Sequence, residues 1–205
     1  MIKKHLLTLL LFSGCFLQAQ ELFLATGKNF TRYDYKNSLG ISNPNLRSGD
    51  GSFYQLGMTF NLGSDEFDYA VSLVYNQLNA VGGSSVSNYA WNTNYIGIQN
   101  ELNYILFQDY DSIKVKTKLG FATSTIINGE QHINNVVYDI SYQEEFKGLL
   151  IQPNIGINFQ YAIDRDIEIS AGYEFSKAFN VSNTSAEKLS FTNNQIHFGL
   201  HFSIY

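Results

Sequence analysis

The chain has 205 residues, of which 15% are aromatic and only 15% charged, and its formal net charge is −5. That length suits one domain, and a charge content well under the usual level of about 25% leaves a surface short of ions and rich in rings. The acidic balance excludes a nucleic-acid partner, which needs basic patches to neutralise phosphates. Past the N-terminus no run of about 18 apolar residues exists to form a membrane-spanning helix.

Residues 1–20 read as an export leader. Lys3 and Lys4 give a positive start, Leu6 to Phe12 a short apolar stretch, and Leu17-Gln18-Ala19 a small residue before a cut near Ala19 or Gln20. The apolar run is too short for an anchor. Phe12-Ser13-Gly14-Cys15 has the outline of a lipobox, with Phe12 where Leu is usual, so lipidation of Cys15 is the competing reading. Cys15 is the one cysteine. Without it the mature domain, residues 21–205, has no disulfide, thiol nucleophile or thiolate metal site. Lys3 and Lys4 also leave, so 11 of the 13 basic residues face 18 acidic ones, a balance of −7.

The first stretch of the mature chain, Leu22 to Tyr35, is the least regular. Ala25, Gly27 and Asn29 form one face, but this puts Lys28 on the apolar side, so its phase stays open. From residue 53 a single device recurs, bulky apolar residues alternating with small or polar ones. Tyr54, Leu56, Met58, Phe60 and Leu62 oppose Gln55, Gly57, Thr59 and Asn61; Tyr69, Val71, Leu73 and Tyr75 oppose Ala70, Ser72 and Asn76. Ile96, Ile98, Leu102, Tyr104 and Leu106 oppose Gly97, Gln99, Glu101 and Asn103. Val115, Thr117, Leu119 and Phe121 oppose Lys114, Lys116, Lys118 and Gly120. Comparable runs follow at 149–161, 167–176 and 196–204. Side chains alternate across a strand, so each run is an amphipathic strand.

These runs predict an all-β fold, a closed antiparallel transmembrane β-barrel of about eight strands in up-and-down order. A soluble barrel with the apolar face inward fails on volume. An interior of about eight strands is just filled by side chains, and roughly forty large groups do not fit there, whereas the Gly, Ser, Asn and Gln face does. A two-sheet sandwich has room for them, but does not explain the connections. These alternate: short at 63–66, 108–112 and 163–166, long at 36–52, 79–94, 127–148 and 180–194. Short periplasmic turns and long external loops place both termini in the periplasm. Aromatic residues gather near the strand ends, with Phe67, Tyr69, Tyr104, Phe107, Tyr110, Tyr161 and Phe202 at one rim. Tyr33, Tyr35, Tyr54, Tyr75, Trp91, Tyr95 and Phe179 gather at the other, as rings at a membrane interface do. Pro153 inside a run removes a ladder hydrogen bond and predicts a bulge. An arginine at Leu73, on the lipid side, is expected to cost more than one at Ser72 if the lumen has room.

At this point the chain resembles the small outer-membrane barrels of the OmpA/OmpX-like superfamily, in particular the "outer membrane protein beta-barrel domain", PorT-like branch. The resemblance covers residues 21–205 and rests on the leader, on Ala25-Thr26-Gly27-Lys28-Asn29-Phe30, and on the closing strand Gln195 to Tyr205. It implies an outer membrane of a Gram-negative cell, contact with its lipid and lipopolysaccharide, and delivery by the barrel-insertion machinery, whose substrates end in an aromatic such as Tyr205. Tyr205 is out of phase with Phe198, Leu200 and Phe202. Members of this class serve as anchors, adhesins, small pores, assembly-machine subunits or a few lipid-modifying enzymes.

For chemistry, Glu101, Lys116, Lys118, Glu168 and Glu174 face inward, and counting from the turn at 108–112 sets Glu101 opposite Lys118. A pair there plugs or gates the lumen; the plainer reading is a static network that satisfies buried charge. His197 and His201 lie about 13 Å apart at about 3.3 Å per residue, too far for one metal ion. Ser203 and His201 share a face, but no acid is placed to complete a nucleophilic triad. Ser48-Gly49-Asp50-Gly51 and Asp109-Tyr110-Asp111 lack the spacing of a calcium loop and read as turns. The Asn-X-Ser/Thr triplets at Asn29, Asn180 and Asn183 are chance matches in an Asn-rich chain. No phosphate loop, HExxH motif or long repeat appears, and no cofactor is implied. In the third long loop Val136, Tyr138, Ile140 and Tyr142 alternate with Val137, Asp139 and Ser141, a strand pattern. It predicts a projecting hairpin that carries an envelope-partner surface. The expected function is a non-enzymatic envelope interaction barrel, with a small pore and a lipid-modifying enzyme as alternatives.

Overall fold

Runs of period-two alternation make extended chain with one apolar and one polar face, and each run forms a strand. The computed structural model describes residues 21–64, 66–83, 88–109, 112–134 and 136–204. The leader with Cys15, the turn residues Tyr110 and Asp111, and Tyr205 lie outside the described residues. Among those described, the strands are β1 (Glu21–Lys36), β2 (Arg47–Ser64), β3 (Phe67–Gln77), β4 (Ala80–Gly83) and β5 (Asn88–Gln108). They continue with β6 (Ile113–Ile133), β7 (Val136–Asp139), β8 (Leu149–Ala162), β9 (Ile167–Asn180) and β10 (Lys188–Ser203).

All pairings are antiparallel, in the order β1–β2–β3–β5–β6–β8–β9–β10. β10 then returns to β1, from Glu21 opposite Ser203 to Lys36 opposite Lys188, and closes the ring. β4 extends the β3 stave past a break at Leu78 and Asn79, while β7 sits outside the ring on the upper part of β6. The barrel is inverted relative to a soluble protein. Leu119 and Phe198 are each 63% exposed on the outside, while Gln99 and Gln195 are 3% and 2% exposed inside. The open phase of β1 resolves with Phe23, Asn29, Thr31 and Tyr33 buried inward. Lys28 therefore points out, where it meets Asp50 at 3.5 Å.

The long connections are shorter than expected, because the strands run on past the apolar belt. β1 reaches Lys36 and β2 starts at Arg47, so Ser48-Gly49-Asp50-Gly51 is strand and not a turn. Pro153 makes no bulge. It stands opposite Phe121 in register, and the β8–β9 register is the same on both sides of it. The missing N–H only drops the pairing step toward β9. Of the expected rims, Tyr54 and Tyr75 pair outside at 6.0 Å between ring centroids, and Phe67 and Tyr104 pair at the other end at 4.9 Å. Tyr33 and Tyr95 are buried and belong to an interior cluster with Trp91. Their stretch of strand lies above the belt, where the inner wall is apolar.

Candidate functional site

Three lysines on alternate residues of β6 point into the lumen, and each meets an acid from a different strand. Lys114 Nζ lies 2.5 Å from Glu168 on β9, Lys116 Nζ 2.9 Å from Asp68 on β3, and Lys118 Nζ 2.9 Å from Glu101 on β5. Glu174 joins from β9, accepting a hydrogen bond from Gln99 Nε2 at 3.2 Å. Glu101 is not opposite Lys118, however. The hairpin closes with Gln108 against Lys114, and a bulge between Ile105 and Phe107 resets the register. Glu101 then faces Gly120, and Lys118 faces Asn103. A displacement of two residues keeps both on the inner face, and the long lysine side chain spans the diagonal. Asp68 went unread in the sequence although it is in phase with Ala70 and Ser72.

His201 is held by two groups that spacing did not place. Its Nδ1 lies 2.6 Å from Glu21 Oε1 and its Nε2 2.9 Å from Ser170 Oγ. This is the contact order of an acyl-transfer triad, with Ser170 rather than Ser203 beside the histidine. The surroundings do not suit that chemistry: the lumen cavity that His201 and Ser170 line is about 30 Å³, room for about one water. The contacts instead tie β1, β9 and β10 together at the short-turn end. His197 is buried over Gly172, where a Cβ would come within 2.4 Å of its Nε2. Among the described residues no three His, Cys, Asp or Glu side chains converge on a metal position. A concavity of about 1060 Å³ is walled by outward residues such as Leu56, Leu73 and Phe198.

At the loop end an apolar plug closes the barrel. Leu78, Tyr95, Leu150 and Phe191 from the walls pack with Ile140 and Phe146 from the segment after β7. Asn180 Nδ2 donates to the carbonyls of Glu144, Glu145 and Lys147 at 3.1, 3.1 and 2.8 Å, which clamps that segment over the mouth. Ile140 is therefore wholly buried and cannot belong to a partner surface. The hairpin strand ends at Asp139, whose carboxylate accepts the Ser141 N–H at 2.8 Å and is held below its usual pKa by that bond. There the chain turns inward. Val136, Tyr138 and Tyr142 stay exposed, Tyr142 at 82%. Among the described residues β7 pairs only with β6, so there the ledge of β5, β6 and β7 ends in an open strand edge.

A closed antiparallel ring with an apolar exterior, a polar lumen and alternating short and long connections is the fold of the small outer-membrane β-barrels. Neisserial surface protein A has this fold at 12% identity, with 89% of this chain and 97% of that one covered and a TM-score of 0.51. The outer membrane protein OprG from Pseudomonas aeruginosa has it at 10% identity, with 91% and 98% covered and a TM-score of 0.54. No protein-family model and no curated protein matches the sequence.

Proposed function

We propose that residues 21–205 form a non-enzymatic integral protein of a Gram-negative outer membrane that binds an envelope partner at its loop end. In this reading residues 1–20 are removed on export, and the short turns and both termini lie in the periplasm. The belt contacts acyl chains, and the loop side meets lipopolysaccharide. The observation that carries the reading is the ledge, where an unpaired edge and the exposed Val136, Val137, Tyr138 and Tyr142 stand above a plugged mouth. An open strand edge accepts a partner strand, and exposed aromatics are frequent binding hot spots. The filled lumen favours this over a small pore, and the packed Ser170 favours it over lipid-modifying chemistry.

The mature protein fractionates with outer membranes, resists alkaline extraction and changes gel mobility on heating, and mass spectrometry finds its N-terminus near Glu21. Recovery as a soluble periplasmic protein sinks the assignment. Replacing Val136, Val137, Tyr138 and Tyr142 by serine abolishes copurification of any partner from mild detergent and leaves heat-modifiability intact. Ile140→Ser instead loosens the plug, costing about 2–4 kcal/mol for a buried apolar side chain exchanged for a polar one. Partners that persist through the fourfold change place the contact elsewhere.

A further inference from the structure

Next to the ledge lies a cavity of about 260 Å³ that shares none of the ledge's exposed residues. One wall is a row of rings: Tyr33 lies 6.0 Å, centroid to centroid, from both Trp91 and Phe146. The row is held rigid. The Tyr33 hydroxyl donates to the Leu78 carbonyl at 2.7 Å and lies 2.9 Å from Thr93 Oγ1, while the Asn180 clamp holds the segment bearing Phe146.

Negative charge is built into the opposite wall. Glu145 and Glu187 line the cavity, and no lysine or arginine does. Ser185 Oγ lies 3.1 Å from Glu145 Oε1 and 2.8 Å from the Glu187 carbonyl, and the Tyr35 hydroxyl donates to Glu187 Oε2. Burial and that carboxylate push Tyr35 up to about 12, so it remains a donor. Both carboxylates thus sit against neutral hydroxyls, and among the described residues neither has an ion-pair partner. The lysines on the two acid-bearing segments have partners of their own. Lys147 pairs with Glu144 at 2.7 Å, and Lys188 donates to the Asn183 and Ser185 carbonyls.

We propose that this cavity binds a small organic cation, an alkylammonium whose apolar substituents pack on the Tyr33, Trp91 and Phe146 rings while Glu145 and Glu187 balance its charge. Ring faces attract cations through their quadrupole, and the attraction strengthens when the site is partly desolvated. Two acids in a half-enclosed apolar setting add a field that a neutral ligand cannot use. The volume, under the roughly 300 Å³ of a drug-sized site, selects a small solute.

Trp91 is the chain's one tryptophan, so the site carries its own reporter. The folded barrel in detergent is titrated with choline, with 3,3-dimethylbutan-1-ol as its uncharged isostere, and with N-acetylglucosamine, while Trp91 emission is followed. Choline gives a saturable response, and the isostere binds at least ~10-fold more weakly. Glu145→Gln and Glu187→Gln each weaken choline by ~3- to 10-fold without loss of heat-modifiability. The fourfold serine variant of the ledge responds as the parent does, so the two sites stand or fall separately. Three results overturn the proposal: no Trp91 response to choline in a folded barrel, a response to the alcohol or the sugar as tight as to choline, or unchanged affinity in both glutamine variants.

Discussion

Lys118→Met destabilises the barrel by about 3–5 kcal/mol, the usual range for breaking a buried pair by removing one partner. Lys118 is the cation nearest Glu101 and also interacts with Glu174, so its loss leaves two buried carboxylates facing each other across the lumen. Glu101→Gln costs less, because Lys118 keeps Glu174. The double variant recovers part of the loss, since Glu174 then faces a neutral amide. Urea unfolding of the barrel in lipid measures all three, and a cycle that is additive within about 0.5 kcal/mol dismisses the pairing. The same cycle separates a structural network from a gate. A gate requires a conductance change in planar bilayers when the pair is broken, whereas a structural pair requires only the stability change.

Leu73→Arg costs about 2–4 kcal/mol, the penalty for a cation on the lipid face near mid-membrane. Leu73 stands outward and half exposed, between Leu56 on one neighbouring strand and Ile98 on the other. Ser72→Arg, one residue away, is not the milder change that a roomy lumen allows. The Ser72 hydroxyl accepts a hydrogen bond from Gln55 Nε2 at 2.7 Å. Gly57 opposite is so close that a Cβ there would lie 2.6 Å from the Ser72 Cβ. An arginine side chain has nowhere to go, and overpacking costs about 1–3 kcal/mol or more. The two faces are told apart by smaller changes. Leu73→Phe is tolerated in lipid, and Ser72→Leu is not; the reverse order contradicts the assigned faces.

Which face each residue takes was legible in the sequence, because alternation is a local property of the pleat. The inward Gln55, Ser72, Gln99, Glu101, Lys116, Lys118 and Glu174 follow from counting by two. The barrel itself follows from volume, since the bulky face is too large for its interior. Only β1 defeated the count, because Lys28 breaks the pattern, and its outward position is explained by Asp50 on the adjacent strand. Tertiary structure decided what meets what. The diagonal of Glu101 and Lys118 depends on where the hairpin closes and on one bulge, and neither changes the alternation that a reader sees. Glu21, Ser170 and His201 meet because β10 returns to β1 and β9 lies beside it, a closure between residues far apart in the chain. Tyr33, Tyr95 and Trp91 have the composition of a membrane rim, yet they turn inward because their strands outrun the belt and an inward-folding segment gives them an apolar partner. Ile140 sits in a strand-like run and is buried for the same reason: the turn at Asp139 and the clamp from Asn180 redirect the chain, and both are contacts with parts of the protein that the local sequence does not contain.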